Sequence, residues 1–419
     1  MKLSPFYLVT LLGLATAAQE RFSYDGYKVY SVTINSIQEA ELLDVFSYDQ
    51  RFDFWSKHRI VGKPIDVMIS PSGQDEFEST LNYHNIKFEV MINNFEEKVQ
   101  AQYNRLKSRA RVDSGDVSFT EYMRHDEINA YLRRLEADYP NVVTTEVIGK
   151  SFEGRDLLII KISSGGSDKP TIFADAGIHA REWIAPSTAL YVINQLVEVP
   201  ENSYLYENVD WVFIPVANPD GYEYTHDVER MWRKTRSTGT ICFGADPNRN
   251  FGYHWGASGS STWQCSDIYA GHRAFSEVET QALRDYLSAH SHHISLYVAI
   301  HSYGNWVLYP WSYADLLPDN ADELQTVGML YNDAVNEYNG NSYIVGNSAA
   351  LLGTTAGCSD DYARGGLDIK LSYTLELPGG STDGFDPPES DILWIVEEAW
   401  VGFKAWHGYV ESSSANSSK

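Results

Sequence analysis

His179-Ala180-Arg181-Glu182 sets an imidazole and a carboxylate three residues apart, just after the apolar run Thr171 to Ala176. A strand leading into a turn can aim both side chains at one cation. His301 closes a second apolar run, Leu296-Tyr297-Val298-Ala299-Ile300. Zinc takes nitrogen and oxygen ligands, and a catalytic zinc keeps three protein ligands and one open position. In α/β proteins ligands gather at the carboxyl ends of sheet strands. Two such strand ends, converging, supply three ligands. The competing reading is a pair of structural histidines satisfied inside the fold, and spacing alone leaves both open. A second His-x-x-Glu, His226-Asp227-Val228-Glu229, reads as surface. His290-Ser291-His292-His293 reads as a solvated helix end.

The elements that must position these residues follow from periodicity. Thr171 to Ala176, Trp211 to Val216, Ile294 to Ile300 and Leu371 to Leu377 read as apolar strands. Asp126 to Asp138, Pro186 to Val197, Glu277 to Ala289 and Ser390 to His407 read as helices between or after them. Val142 to Ile148 and Leu157 to Ile162 add two strands. Asn218-Pro219-Asp220-Gly221 carries turn chemistry. Apolar strands alternating with helices imply an α/β domain with a buried, mostly parallel sheet. Before it, Lys28 to Ile34, Pro64 to Ile69 and Lys87 to Ile92 read as strands, with helices at Gln38 to Tyr48 and Gln74 to Asn82. That is a small α+β unit. A helix over Phe95 to Ala110 follows, ending in Arg105, Lys107, Arg109 and Arg111. This basic end is either a solvated helix end or a protease-sensitive linker. Ser412 to Lys419 reads as a disordered tail, with the sequon Asn416-Ser417-Ser418.

Composition narrows the classes. The 419 residues are 43% hydrophobic and 13% aromatic, too apolar for a disordered chain. The net charge is −25, which excludes nucleic acid as the main partner, because phosphate binding needs a basic face. The charge is unevenly held. Residues 19–111 carry 12 basic and 14 acidic side chains, whereas residues 112–419 carry 19 basic and 43 acidic, a net of −24. Lys2, the apolar run Phe6 to Leu14 and the small residues Ala15 to Ala18 read as a secretory signal over residues 1–18. That run is too short to span a bilayer. A secreted, extracellular protein with no membrane anchor is expected. Cys242, Cys265 and Cys358 allow three pairings.

Six motifs stand in order along the chain: His179-Ala180-Arg181-Glu182-Trp183, Asn218-Pro219-Asp220-Gly221-Tyr222, Trp232-Arg233-Lys234-Thr235-Arg236, Asp246-Pro247-Asn248-Arg249-Asn250-Phe251, Ile300-His301-Ser302-Tyr303 and Tyr373-Thr374-Leu375-Glu376-Leu377. Their order and spacing closely resemble the pancreatic-type zinc metallocarboxypeptidases, over almost the whole chain. The resemblance implies a mixed, mostly parallel eight-stranded sheet flanked by helices, preceded by a ferredoxin-like prodomain that includes Asp53-Phe54-Trp55. It divides the chain into a signal peptide (1–18), an activation propeptide (19–111) and a catalytic domain (112–419). It implies one zinc per chain on His179, Glu182 and His301, and a disulfide between Cys242 and Cys265. Cys358 is left as a packed, unpaired thiol.

The same resemblance assigns roles. Glu376 matches the glutamate that takes the proton of the attacking water and passes it to the leaving amine. Arg233 matches the arginine facing the tetrahedral oxyanion; its alternative is an exposed member of a basic cluster with Lys234 and Arg236. Asn248 and Arg249 match the pair that holds a terminal carboxylate, for which a planar guanidinium suits. Arg181, Ser302 and Tyr303 match further substrate contacts, with a structural salt bridge as the alternative for Arg181. Asp360 stands where the family's specificity residue stands, and Ser312 resembles the basic-specific branch, so removal of a C-terminal Lys or Arg is expected. The family's lid tyrosine is replaced by Gly353, which implies weaker lid contacts and a more mobile loop. The expected partners are peptide C-termini and a trypsin-like activating protease, with the chain acting as a monomer. Two alternatives stay open: an apolar-specific enzyme, and a zinc-containing peptide-binding homologue without activity.

Overall fold

The computed structural model describes residues 20–55, 60–108, 115–382 and 384–417. The expected signal peptide and the basic sites Arg109 and Arg111 lie outside the described residues. Two sheets form. The first is antiparallel, in the order β2-β3-β1-β4, from β1 (Lys28–Thr33), β2 (Phe52–Phe54), β3 (Pro64–Ile69) and β4 (Lys87–Ile92). Helices Ile37–Asp44 and Gln74–Tyr83 join its strands, and Phe46, Phe52 and Phe77 pack with Tyr30, Val32 and Val67 into its core.

The second sheet has eight strands: β5 (Val143–Lys150), β6 (Asp156–Ile162), β7 (Thr171–Ala176), β8 (Asp210–Ile214), β9 (Ile294–Ser302), β10 (Trp306–Tyr309), β11 (Ile344–Asn347) and β12 (Leu371–Leu377). Their order is β11-β10-β12-β9-β7-β8-β6-β5. The central pairs β12/β9, β9/β7 and β7/β8 are parallel, as is β10/β11; β10/β12, β6/β8 and β5/β6 are antiparallel. Central strands buried on both faces explain the near-continuous apolar runs. Helices Ile184–Val197 and Glu389–Ser417 cover one face, where Trp183, Trp211 and Trp406 are fully buried. Helix Val278–His290 covers the other, over Phe173 and Tyr297.

Three sequence expectations are corrected here. Asn218 begins a helix, Pro219–Asp227; its side chain accepts the Gly221 amide at 3.1 Å, and Pro219 fits the first turn, where no amide donor is needed. His226 is not on the surface: its ring stacks on Trp183 with centroids 3.9 Å apart and is 2% exposed. The serine-rich tail continues the last helix to Ser417, with Ser412 and Ser414 hydroxyls donating to the Tyr409 and Val410 carbonyls. Such back-bonding lets serine stay helical. No described helix is long and apolar enough to cross a membrane.

The two units meet through a small shared core. Tyr24, Trp55, Phe95 and Tyr103 of the N-terminal unit pack with Met231, Tyr303 and Phe385 of the larger one. The buried Arg230 guanidinium ties this seam, donating to Gln102 Oε1 at 2.6 Å and to the Phe385 carbonyl at 2.8 Å.

Candidate active site

β7, β9 and β12 run parallel, so their carboxyl ends open on the same edge. His179 and Glu182 lie in the turn after β7. His301 is near the end of β9, and Glu376 stands opposite it in the parallel register. The ligating atoms of His179, Glu182 and His301 all lie within 4.8 Å of one another, and all three residues are buried. His179 Nδ1 is 2.8 Å from Glu182 Oε1; His301 Nδ1 is 3.0 Å from Glu182 Oε2 and 3.1 Å from His179 Nδ1. Two imidazole nitrogens turned toward each other beside a carboxylate suit one shared cation. The donor set, two nitrogens and one carboxylate, is that of catalytic zinc, and atoms about 2.0–2.2 Å from one centre in a tetrahedron are about 3.3 Å apart. The residues therefore fit zinc.

Asp246 organises the surroundings, a role the sequence reading did not give it. Its Oδ1 faces His179 Nε2 at 3.1 Å, which fixes the tautomer that leaves Nδ1 free to ligate. Its Oδ2 accepts from Arg233 Nε at 3.1 Å and Nη2 at 2.9 Å, and lies 3.7 Å from Arg249. Burial opposes its charge, but Arg233, Arg249 and His179 outweigh that and hold its pKa well below the usual range. The signal was present in Asp246-Pro247-Asn248-Arg249: an acid two residues before the predicted carboxylate-binding pair.

The other expected residues converge on one cavity of about 420 Å³, lined by His179, Arg181, Glu182, Arg233, Asn248, Arg249, His301, Ser302, Tyr303, Ser312, Asp360 and Glu376. Arg233 is therefore not in an exposed cluster. Glu376 Oε2 is buried without a hydrogen-bond partner, and burial pushes its carboxyl up to about 7. Asn248 Oδ1 accepts the Ser359 amide at 2.9 Å, and Arg249 donates to the Gly259 and Asn248 carbonyls. Asp360 is 1% exposed, with the Ser312 hydroxyl 3.3 Å from its Oδ2 and Thr374 beside it. Burial pushes its carboxyl up. Asp361 instead accepts the amides of Ser312 and Tyr313, both at 2.8 Å.

Residues of the N-terminal unit complete the cavity wall, among them Phe52, Phe54 and Ile65. Asp53 Oδ2 pairs with Arg181 Nη1 at 2.7 Å, and Asp66 accepts from the Tyr303 hydroxyl at 3.0 Å. Arg181 thus forms a salt bridge, but to a carboxylate of the other unit.

Gly353 lies at the cavity rim with φ 84° and ψ 165°, a backbone conformation that only glycine adopts readily. Backbone hydrogen bonds run from the loop to neighbouring segments. Gly353 donates to Ala349, Thr355 to Ser312 and Ala356 to Ser258, at 2.7–2.9 Å. Cys242 and Cys265 are disulfide-bonded, and Cys358 is a buried free thiol.

Two histidines and a carboxylate on one centre, a partnerless glutamate beside them and arginines around the cavity define a metal-assisted hydrolase site. Comparison with known proteins narrows this class. Residues 128–402 match the family model described as zinc carboxypeptidase, and residues 30–102 match that of the carboxypeptidase activation peptide. The chain is 38% identical to a carboxypeptidase B of Helicoverpa zea, over 94% of this chain and 96% of the relative. It is 36% identical to zinc carboxypeptidase A 1 of Drosophila melanogaster, over 94% of each. The crystal structure of carboxypeptidase A from Helicoverpa armigera superposes with a TM-score of 0.88 at 34% identity, over 94% of this chain and 99% of that one. The chain belongs to the zinc carboxypeptidase family and carries its activation peptide, so it is a zymogen of a metallo-exopeptidase acting on peptide C-termini.

Proposed function

We propose that this is a secreted carboxypeptidase that removes C-terminal Lys or Arg, one residue at a time. Residues 1–18 act as signal, residues 19–111 as inhibitory propeptide and residues 112–419 as enzyme. The activating cut, by a trypsin-like protease, falls after Arg109 or Arg111. The single observation that carries the specificity is the buried Asp360 carboxylate in the cavity wall, with the Ser312 and Thr374 hydroxyls beside it. A buried carboxylate lacking a cation is costly, and a substrate ammonium or guanidinium removes that cost through a charge-assisted hydrogen bond. An apolar side chain leaves it in place.

In this reading His179, Glu182 and His301 hold the zinc, which when bound supplies Lewis acidity toward water and the scissile carbonyl. Glu376 takes the proton of the attacking water on its free Oε2 as the new C–O bond forms. It then gives that proton to the amine nitrogen as the C–N bond breaks. Arg233, locked by two hydrogen bonds that it donates to Asp246, faces the oxyanion without reorganising. Asn248 and Arg249 bind the terminal carboxylate, so the scissile bond is always the last one. Arg181, Ser302 and Tyr303 line the path of the preceding residues. Asp53 and Asp66 of the propeptide occupy Arg181 and Tyr303 until the propeptide leaves.

The test is a time course by mass spectrometry on a peptide ending in Ala-Arg-Lys, after trypsin activation and trypsin inhibition. Stepwise loss of Lys and then Arg, halting at Ala, is expected. Internal cleavage, or continued trimming past Ala at an equal rate, contradicts the proposal. Replacing Asp246 by Asn should weaken zinc binding about 10- to 100-fold, as loss of an outer-shell carboxylate does. Competition with a chromophoric chelator measures this, and an unchanged affinity removes Asp246 from the metal site.

A further inference from the structure

We propose that the face of Trp306, together with the Gly304 carbonyl, is a subsite for the cationic side chain of a substrate residue upstream of the one removed. In the zymogen Lys63 of the propeptide occupies it. The inference rests on the peptidase reading above, in which the cavity takes a peptide once the propeptide has left.

Lys63 lies in the turn before β3. Its Nζ sits 4.0 Å from the centroid of the Trp306 ring and donates to the Gly304 carbonyl at 3.2 Å. An indole face and a carbonyl oxygen are both electron-rich, and neither carries a charge that must be neutralised when the cation departs. Such a cradle releases one cation and takes another at little cost.

The cradle belongs to the active-site cavity. Trp306 opens β10 and stands opposite Glu376 in the antiparallel pair with β12. It lines the same cavity as Tyr303, His301 and Glu376. Its ring is buried in the zymogen. The position is built for the ring: a Cβ on residue 304 would lie 2.0 Å from Trp306 Nε1, so only glycine there lets the indole lie against the backbone. Asp53 on Arg181 and Asp66 on Tyr303 show the propeptide filling neighbouring substrate contacts with matching chemistry. Lys63 on Trp306 is the cationic member of that set. Arginine fits the cradle as well as lysine, because its guanidinium stacks on aromatic faces.

The test uses the activated enzyme and N-acyl tetrapeptides that share one C-terminal residue, in an Arg-ended and a Phe-ended series. Lysine is placed in turn at each of the three upstream positions and compared with norleucine, which has a similar stem without the charge. Lysine is expected to raise kcat/KM over norleucine about 3- to 10-fold, at one position and in both series, as a partly desolvated cation–π contact provides. Trp306→Leu should bring that ratio to about 1, and Trp306→Phe should keep part of it. A ratio near 1 at every position in the unaltered enzyme overturns the proposal, whatever the variants do. So does an equal rise at all positions that survives Trp306→Leu, because that reports only the domain's acidic charge. The Lys/norleucine ratio is read within each series, so it stands or falls separately from the Arg-over-Phe preference assigned to Asp360.

Discussion

Replacing Glu376 by Gln should lower kcat on a dipeptide substrate by about 10³- to 10⁴-fold, the upper range for loss of a positioned general base, with zinc content held at one per chain. The glutamine is isosteric and neutral, so β12 and its pairing with β9 need not move. It cannot take a proton. Glu376 Oε2 has no hydrogen-bond partner to lose, and burial already opposes its charge. The change therefore removes the proton carrier without breaking a hydrogen bond at Oε2. Atomic absorption for zinc and steady-state kinetics on the same preparation check both halves. A variant with full zinc and activity within tenfold of the parent would take the proton-transfer role from Glu376.

Asp360→Ala should cut the Arg-over-Phe ratio of kcat/KM by about 10²- to 10³-fold. Truncating one partner of a buried charge pair costs about 2–5 kcal/mol, and each 1.4 kcal/mol is tenfold. The loss should fall on Arg substrates, since the guanidinium then enters the pocket without the Asp360 charge to meet it. Phe substrates should gain modestly from the added room. Ser312→Ala should have a smaller effect in the same direction, because its hydroxyl stands 3.3 Å from Asp360 Oδ2 and supports the carboxylate without supplying charge. Paired kinetics on Arg- and Phe-ended substrates read this directly. An unchanged ratio in Asp360→Ala places specificity elsewhere.

What could be read from the sequence was what local pattern encodes. β7 and β12 appear at Thr171–Ala176 and Leu371–Leu377, the limits that their apolar runs set. Both are central strands, buried on two faces, with sharp polar borders. The short strands β2, β10 and β11 went unseen because three or four residues carry no usable periodicity. The helix Ala321–Asn339 also went unseen, although Gly340 ends it in the left-handed conformation, a stop signal that the sequence carried. The zinc triad was legible as two strand ends, but it needed the family motifs to separate it from structural histidines. Trp306 was not legible, and Asp246 was legible only as an acid beside the carboxylate-binding pair, without its partners. Asp246 acts through Arg233 and through His179, which is 67 residues away, and Trp306 acts on a lysine of another unit. His226 was misread for the same reason: its partner Trp183 is brought to it only by the fold.

Removal of basic C-terminal residues needs both zinc chemistry and the anionic pocket at Asp360. The direct measurement is kcat/KM of the trypsin-activated protein on N-acyl dipeptides ending in Arg, Phe or Glu, with and without a zinc chelator. Arg should be preferred over Phe by at least about 10²-fold, from a buried charge-assisted contact. Glu should be the poorest, and chelation should abolish all turnover until zinc is returned. Turnover of Phe equal to or faster than Arg would contradict the role of Asp360. Turnover that survives full removal of zinc would contradict the active site itself.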